Sequence, residues 1–128
     1  MKGMVNNMRK ILFRGKRVYN GEWIYGSYVA GIKKSFIAIE QVYEIIPETI
    51  GQYTGLKDEN GNKIFEGDIV KYGDTIHQVV FEQRNGTAYY GLMYSSIETL
   101  PFGHYQDLRQ IEVIGNIYDN PELLKDGE

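Results

Sequence analysis

The chain has 128 residues, 42% hydrophobic and 24% charged, with a net charge of −3, the profile of one soluble domain able to bury a core without disulfides or metal. It has no cysteine, which excludes disulfide scaffolds, cysteine-ligated structural zinc and thiol nucleophiles. No apolar stretch approaches the ~18 residues of a membrane span, and the basic N-terminus lacks the apolar segment of a secretion signal, so a soluble, unexported protein is expected.

The chain begins basic. Up to Lys34, Lys2, Arg9, Lys10, Arg14, Lys16, Arg17, Lys33 and Lys34 stand against Glu22 alone, roughly +7, and the remainder is about −10. Arg9, Lys10, Arg14, Lys16 and Arg17 are the candidate nucleic-acid-binding residues, because neutralising phosphates releases counterions and gives affinity without sequence preference. The competing reading is self-complementarity, with basic strands meeting acidic neighbours in the same fold or in another copy.

Val, Ile, Tyr and Phe between abundant glycines predict short strands at Ile11–Phe13, Glu22–Val29, Phe36–Tyr43, Ile64–Phe65, Asp68–Tyr72, His77–Gln83, Thr87–Met93 and Glu112–Tyr118. Asn60-Gly61 and Asn85-Gly86 are hairpin turns, since a two-residue type I′ loop needs positive φ at both central positions. A two-residue loop at Asn60-Gly61 would set Asp58 across from Lys63 as an ion pair worth roughly 0.2–1 kcal/mol. Gly67 and Asp68 then turn the chain into the next strand. Residues 94–110 contain Pro101 and Gly103 without a clean period and read as a long connection carrying at most a helical turn. Pro121–Lys125, following Asn120, is the one short helix or turn.

Sites with catalytic or metal chemistry find little support. Asp58, Asn60 and Asn62 fall at the first, third and fifth positions of a calcium loop, but Lys63 and Ile69 stand where Gly and Glu are required. His77 and His104 share no metal-ligand spacing, and Ser27, Ser35, Ser95 and Ser96 occupy no nucleophile motif. Phosphate-binding glycine loops are absent. Glu66 and Asp68 are the best carboxylate pair, one residue apart on an extended segment, which suits a solvated edge as well as acid–base work. No enzyme, metal or cofactor is expected. Tyr89, Tyr90 and Tyr94 with Phe81 could stack nucleic-acid bases, though alternation along a strand makes core and cross-strand pairing the simpler reading. A tyrosine-rich surface also suits a protein interface.

The start "MRKILFRGKRVYNGEWIYG", the block "ETIGQYTGLKDENGNKIFEGDIVKY" and the ending "EVIGNIYDNPELL" together resemble the YopX family of phage and prophage proteins, over nearly the whole chain from Met8. The resemblance implies a phage or prophage origin and a mainly β protein, and it transfers no activity or site residues; Thr54, Gly55, Asp58, Gly67, Asp68, Gly115 and Asn116 are family-like positions whose chemistry is that of turns. The expectation is a flexible extension over residues 1–7 and a single YopX-like domain over 8–128. Its fold is expected to be mainly β with little helix, a small SH3-like barrel formed by about Gly67–Tyr118 and an additional N-terminal β portion. The function expected is that of a non-enzymatic accessory protein in the cytoplasm of the bacterial host. It would bind a host or phage protein or itself, with nucleic-acid binding as the alternative and with no membrane or small-molecule cofactor.

Overall fold

The computed structural model describes residues 11–84, 86–95, 98–102 and 108–125. Its strands are β1 (Phe13–Lys16), β2 (Trp23–Ala30), β3 (Ser35–Ala38), β4 (Val42–Ile45), β5 (Gly51–Lys57), β6 (Lys63–Phe65), β7 (Asp68–Tyr72), β8 (Thr75–Arg84), β9 (Thr87–Ser95), β10 (Glu98–Pro101) and β11 (Ile111–Asn116). Single 3-10 turns lie at Pro47–Thr49 and Leu108–Gln110, and one α-helical turn, α1, at Glu122–Lys125. One sheet has the order β4-β3-β2-β1-β5-β6 and the other β10-β9-β8-β7-β11. The chain divides into two compact units, Met1–Gly55 and Leu56–Glu128. The mainly β expectation holds, and the N-terminal β portion supplies β1 to β4 of the first sheet.

In the first unit, β1 pairs β2 with Arg14 opposite Tyr25 and Lys16 opposite Trp23, while β2 pairs β3 and β3 pairs β4. Directly opposed residues share a face. One face therefore carries Ile37 and Ile45, both fully buried, and Phe13 with its ring 5.6 Å from that of Tyr28. Gly15 lies against Ile45, whose side chain fills the space a Cβ at position 15 would need. The strand expected at Ile11–Phe13 thus lies further along, at Phe13–Lys16: its glycine and two cations look unlike a strand, but the glycine admits Ile45 and the cations project to the other face. The chain beyond β1 also bonds β4, Val18 N–H donating to Glu44 O and Ile46 N–H to Lys16 O. The single strand expected over Phe36–Tyr43 is instead the β3–β4 hairpin. Ile39, Glu40 and Gln41 make a tight turn without Gly, Pro or Asn, Ile39 N–H donating to Gln41 O.

In the second unit, Ile64, Val70, Val79, Leu92 and Ile111 form the core, with Leu56, Tyr72, Phe102 and Val113 packed around them. The β8–β9 hairpin has Arg84 opposite Thr87, the register expected of a two-residue loop, and Gly86 has φ 79. The SH3-like barrel expected over Gly67–Tyr118 is corrected: β7 to β11 form an open sheet with β10 and β11 at its edges. The outer edge of β11 is already occupied, since Glu59 N–H donates to Ile111 O and Val113 N–H to the Asp58 carboxylate. β10 is short and ends on Pro101, which can donate no ladder bond.

β5 and β10 went unanticipated. Gly51 and Gly55 interrupt the pattern of β5, and Gly55 takes φ 90, a conformation typical of a bulge. β10 falls within the segment expected to be a long connection, where its Glu-Thr-Leu-Pro sequence gives no alternating signal; the helical turn expected there is the one at Leu108–Gln110.

Candidate binding surfaces

Arg9, Lys10 and His104 lie outside the described residues, as does the expected extension over residues 1–7. Arg14, Lys16 and Arg17 are all on or just after β1, each against an aromatic ring. The Arg14 guanidinium lies 4.6 Å from the Trp23 ring centroid and the Lys16 ammonium 5.6 Å. Arg17 packs on two tyrosines, 5.0 Å from the Tyr19 ring and 4.6 Å from that of Tyr43. Strand alternation explains the division, with Arg14 and Lys16 on one face and Arg17 on the other. Cations over ring faces gain electrostatic attraction while their aliphatic stems cover apolar surface. Arg14 is only 6% exposed, so its role is tied to the packing of Trp23, whereas Lys16 and Arg17 are half-buried.

The face of this sheet that bears Arg14, Lys16 and Trp23 continues through Tyr25, Ser27 and Val29 of β2, Phe36 and Ala38 of β3, and Val42 and Glu44 of β4. Tyr25 is 45% exposed, Val29 41% and Val42 58%. Apart from the exposed Ser27, the face is apolar and aromatic at its centre. Its one carboxylate, Glu44, pairs with Lys34 at 3.7 Å. At the end of the same sheet the β2–β3 turn carries Ile32, wholly exposed, beside exposed Lys33 and Lys34.

The second unit answers the question of the calcium-like loop. Asp58 N–H donates to Asn62 O and Gly61 N–H to Asp58 O, so the loop between the paired residues is Glu59-Asn60-Gly61, one longer than expected, with Gly61 at φ 83. Asp58 therefore stands opposite Asn62, and the expected Asp58–Lys63 cross-strand pair is not formed, because one added loop residue shifts the register. The buried Asp58 carboxylate instead accepts hydrogen bonds from Asn60 N–H (2.9 Å), Asn62 N–H (2.8 Å), the Asn62 side chain (3.4 Å) and Val113 N–H (2.9 Å). Burial pushes its pKa up, but the hydrogen bonds from Val113, Asn62 and Asn60 prevail and hold it below the usual carboxylate value. Asp68 is likewise buried and accepts from Phe65 N–H at 2.7 Å. These carboxylates are spent on backbone donors, which is turn chemistry rather than acid–base chemistry.

His77, also buried, has Nε2 2.7 Å from Thr75 Oγ1 and Nδ1 3.3 Å from Met93 O. The Tyr94 ring covers it at 4.2 Å, and burial lowers its pKa. Tyr90 pairs with Phe81, ring centroids 5.0 Å apart, while the Tyr89 hydroxyl donates to Thr99 O. Tyr89 thus lies on the opposite face from Tyr90 and Tyr94, and the rings do not form one stacking platform. Asn116 closes the C-terminal loop by accepting from Tyr118 and Asp119 N–H, and Asn120 accepts from Asn116 N–H.

Among the described residues no group of three His, Cys, Asp or Glu side chains could hold a metal ion. On the side of the second sheet away from the core, a cavity of about 260 Å³ is lined by Glu59, Lys71, Gly73, Gln110 and Glu112. Lys71 and Glu112 are opposed across β7 and β11, and Glu59 arrives from the β5–β6 loop. The cavity was not legible in the sequence because its residues meet only through the β7–β11 pairing.

A family model described as YopX protein matches residues 12–125. The crystal structure of protein EF1440 from Enterococcus faecalis is similar at 24% identity and a TM-score of 0.50, over 91% of this chain and 99% of that one. At that identity the likeness is one of fold. No curated protein matches the chain.

Proposed function

For a chain that belongs to the YopX family, we propose a non-catalytic accessory role, in the bacterial cytoplasm and in the service of a phage or prophage, exercised by binding a protein through the outer face of the β1–β4 sheet. The observation that carries this reading is the exposed apolar face centred on Tyr25, Val29 and Val42, with Trp23 and Phe36 beside them. Aromatic and aliphatic groups with a cationic rim have the composition of an interface core and rim. The hydrogen-bonded Asp58, Asp68 and His77 favour binding over chemistry, since the groups best suited to acid–base work hold the fold together. The test is a photo-crosslinking residue placed at Val42 in cells producing the protein, with one at Asn20 as control. Protein adducts are expected at position 42 and not at 20; equal or absent crosslinking at both would overturn the reading.

Two cation–aromatic pairs on opposite faces of the sheet, Lys16 with Trp23 and Arg17 with Tyr43, favour a second reading, nucleic-acid binding by backbone neutralisation with ring stacking. It predicts fluorescence anisotropy of labelled oligonucleotides that falls with salt and weakens in Lys16→Ala plus Arg17→Ala. Flat anisotropy at low salt would retire it.

A further inference from the structure

Residues Met1–Gly55 carry eight Lys and Arg against four Asp and Glu, and Leu56–Glu128 six against thirteen. The protein is thus a cationic unit joined to a strongly anionic one. Such a polarity disfavours an interface in which the basic unit meets the basic unit of its own copy, because a two-fold contact brings like charges together. It favours a contact in which the basic unit of one molecule meets the acidic unit of the next. Among the described residues of the basic unit, the β2–β3 turn presents Ile32, 101% exposed, followed by exposed Lys33 and Lys34. The Lys34 ammonium makes an exposed pairing with Glu44 at 3.7 Å, an interaction of a kind worth little in water. The acidic unit in turn has a cavity in which Glu59 and Glu112 outnumber Lys71. Its volume of about 260 Å³ accommodates one long side chain, and the carboxylate excess of its lining favours an ammonium over an anion.

We propose that the protein self-associates head to tail, the Ile32-Lys33-Lys34 turn of one copy docking at the Glu59–Glu112 cavity of another. This contact goes beyond the docking-face reading, because the turn lies at the Ala30–Ser35 end of the sheet and Val42 at the opposite end of β3. A contact joining two different surfaces leaves one of each free at the ends, so the assembly is a ring or an open chain. Because the contact is electrostatic at its centre, association weakens as salt rises toward a screening length of about 8 Å.

The test is sedimentation velocity on the full chain at low and high salt, with Lys33→Glu plus Lys34→Glu and with Glu59→Lys plus Glu112→Lys, each checked for unchanged melting. The wild type is expected to associate at low salt and each variant alone to associate at least about tenfold more weakly. An equimolar mixture of the two variants is expected to recover association, since each then presents a surface of opposite charge to the other. Recovery in the mixture separates a lost contact from a damaged fold. A wild type that stays monomeric at low salt, or a folded mixture that fails to recover, overturns the proposal. Crosslinks at Val42 to a different protein alongside a monomeric wild type would overturn the self-association while the docking face stood.

Discussion

Asp58 looked like the first ligand of an ion loop and is instead a knot of hydrogen bonds tying the β5–β6 loop to β11. Replacing it with Asn removes the charged acceptor that Val113, Asn60 and Asn62 share. The expected loss is about 1–3 kcal/mol of stability, read from urea denaturation. Its lowered pKa carries a pH signature. The carboxylate's contribution is complete above the ordinary value of about 3.8 and is lost as pH falls through the lower folded-state value. Asp58→Asn should therefore narrow the difference between wild type and variant at the acid end. His77 has the opposite charge logic. Burial lowers its pKa below 6.5, so the unfolded chain takes up a proton first and stability drops as pH falls below that value. Melting temperatures from pH 8 to 5 should decline less for His77→Gln than for the wild type; parallel declines would count against this account.

At the level of elements, strands with alternating or apolar sequence were legible, with β7 matching its expected bounds and β2, β6, β8, β9 and β11 within a few residues. Those that failed did so where a long-range contact overrules local appearance. β1 is a strand despite two cations and a glycine because Trp23 covers the cations and Ile45 fills the place of a side chain. Gly26 makes the same point: a Cβ there would meet the carbonyl oxygen of Ala38. Gly26→Ala should cost about 1–3 kcal/mol, the range for overpacking a tight site. Gly61→Ala acts differently. Space is open around it, and the cost is the left-handed backbone, about 1–2 kcal/mol. A Gly61→Asn variant should recover part of that loss in thermal melts, because Asn tolerates the conformation, whereas Gly26→Asn should recover nothing.

For the molecule as a whole, two units of opposite charge and an exposed sheet face dominate the expected behaviour. Val42→Asp places a charge on the docking face without disturbing a buried group, so its stability should stay within about 0.5 kcal/mol of wild type. Binding through that face should fall sharply in the same variant. A large drop in melting temperature would instead make Val42 a structural residue and remove the face from consideration. Increasing salt should weaken self-association in the wild type and have less effect on any residual association of Lys33→Glu plus Lys34→Glu, whose contact no longer attracts.

Local chemistry alone was enough for the β class, for the chain reversals at Asn60-Gly61 and between Arg84 and Thr87, and for the short C-terminal helix, because strand alternation and positive-φ glycine act over a few residues; the family was legible from the resemblance of three sequence blocks. The register at Asp58, the open second sheet, the burial of Arg14 and the cavity between Glu59 and Glu112 came from residues far apart in the chain. Asp58 meets Val113 and Lys71 meets Glu112 across separations that no local pattern spans, and hydrogen-bond satisfaction and steric fit at those contacts chose one arrangement among those the local preferences allowed.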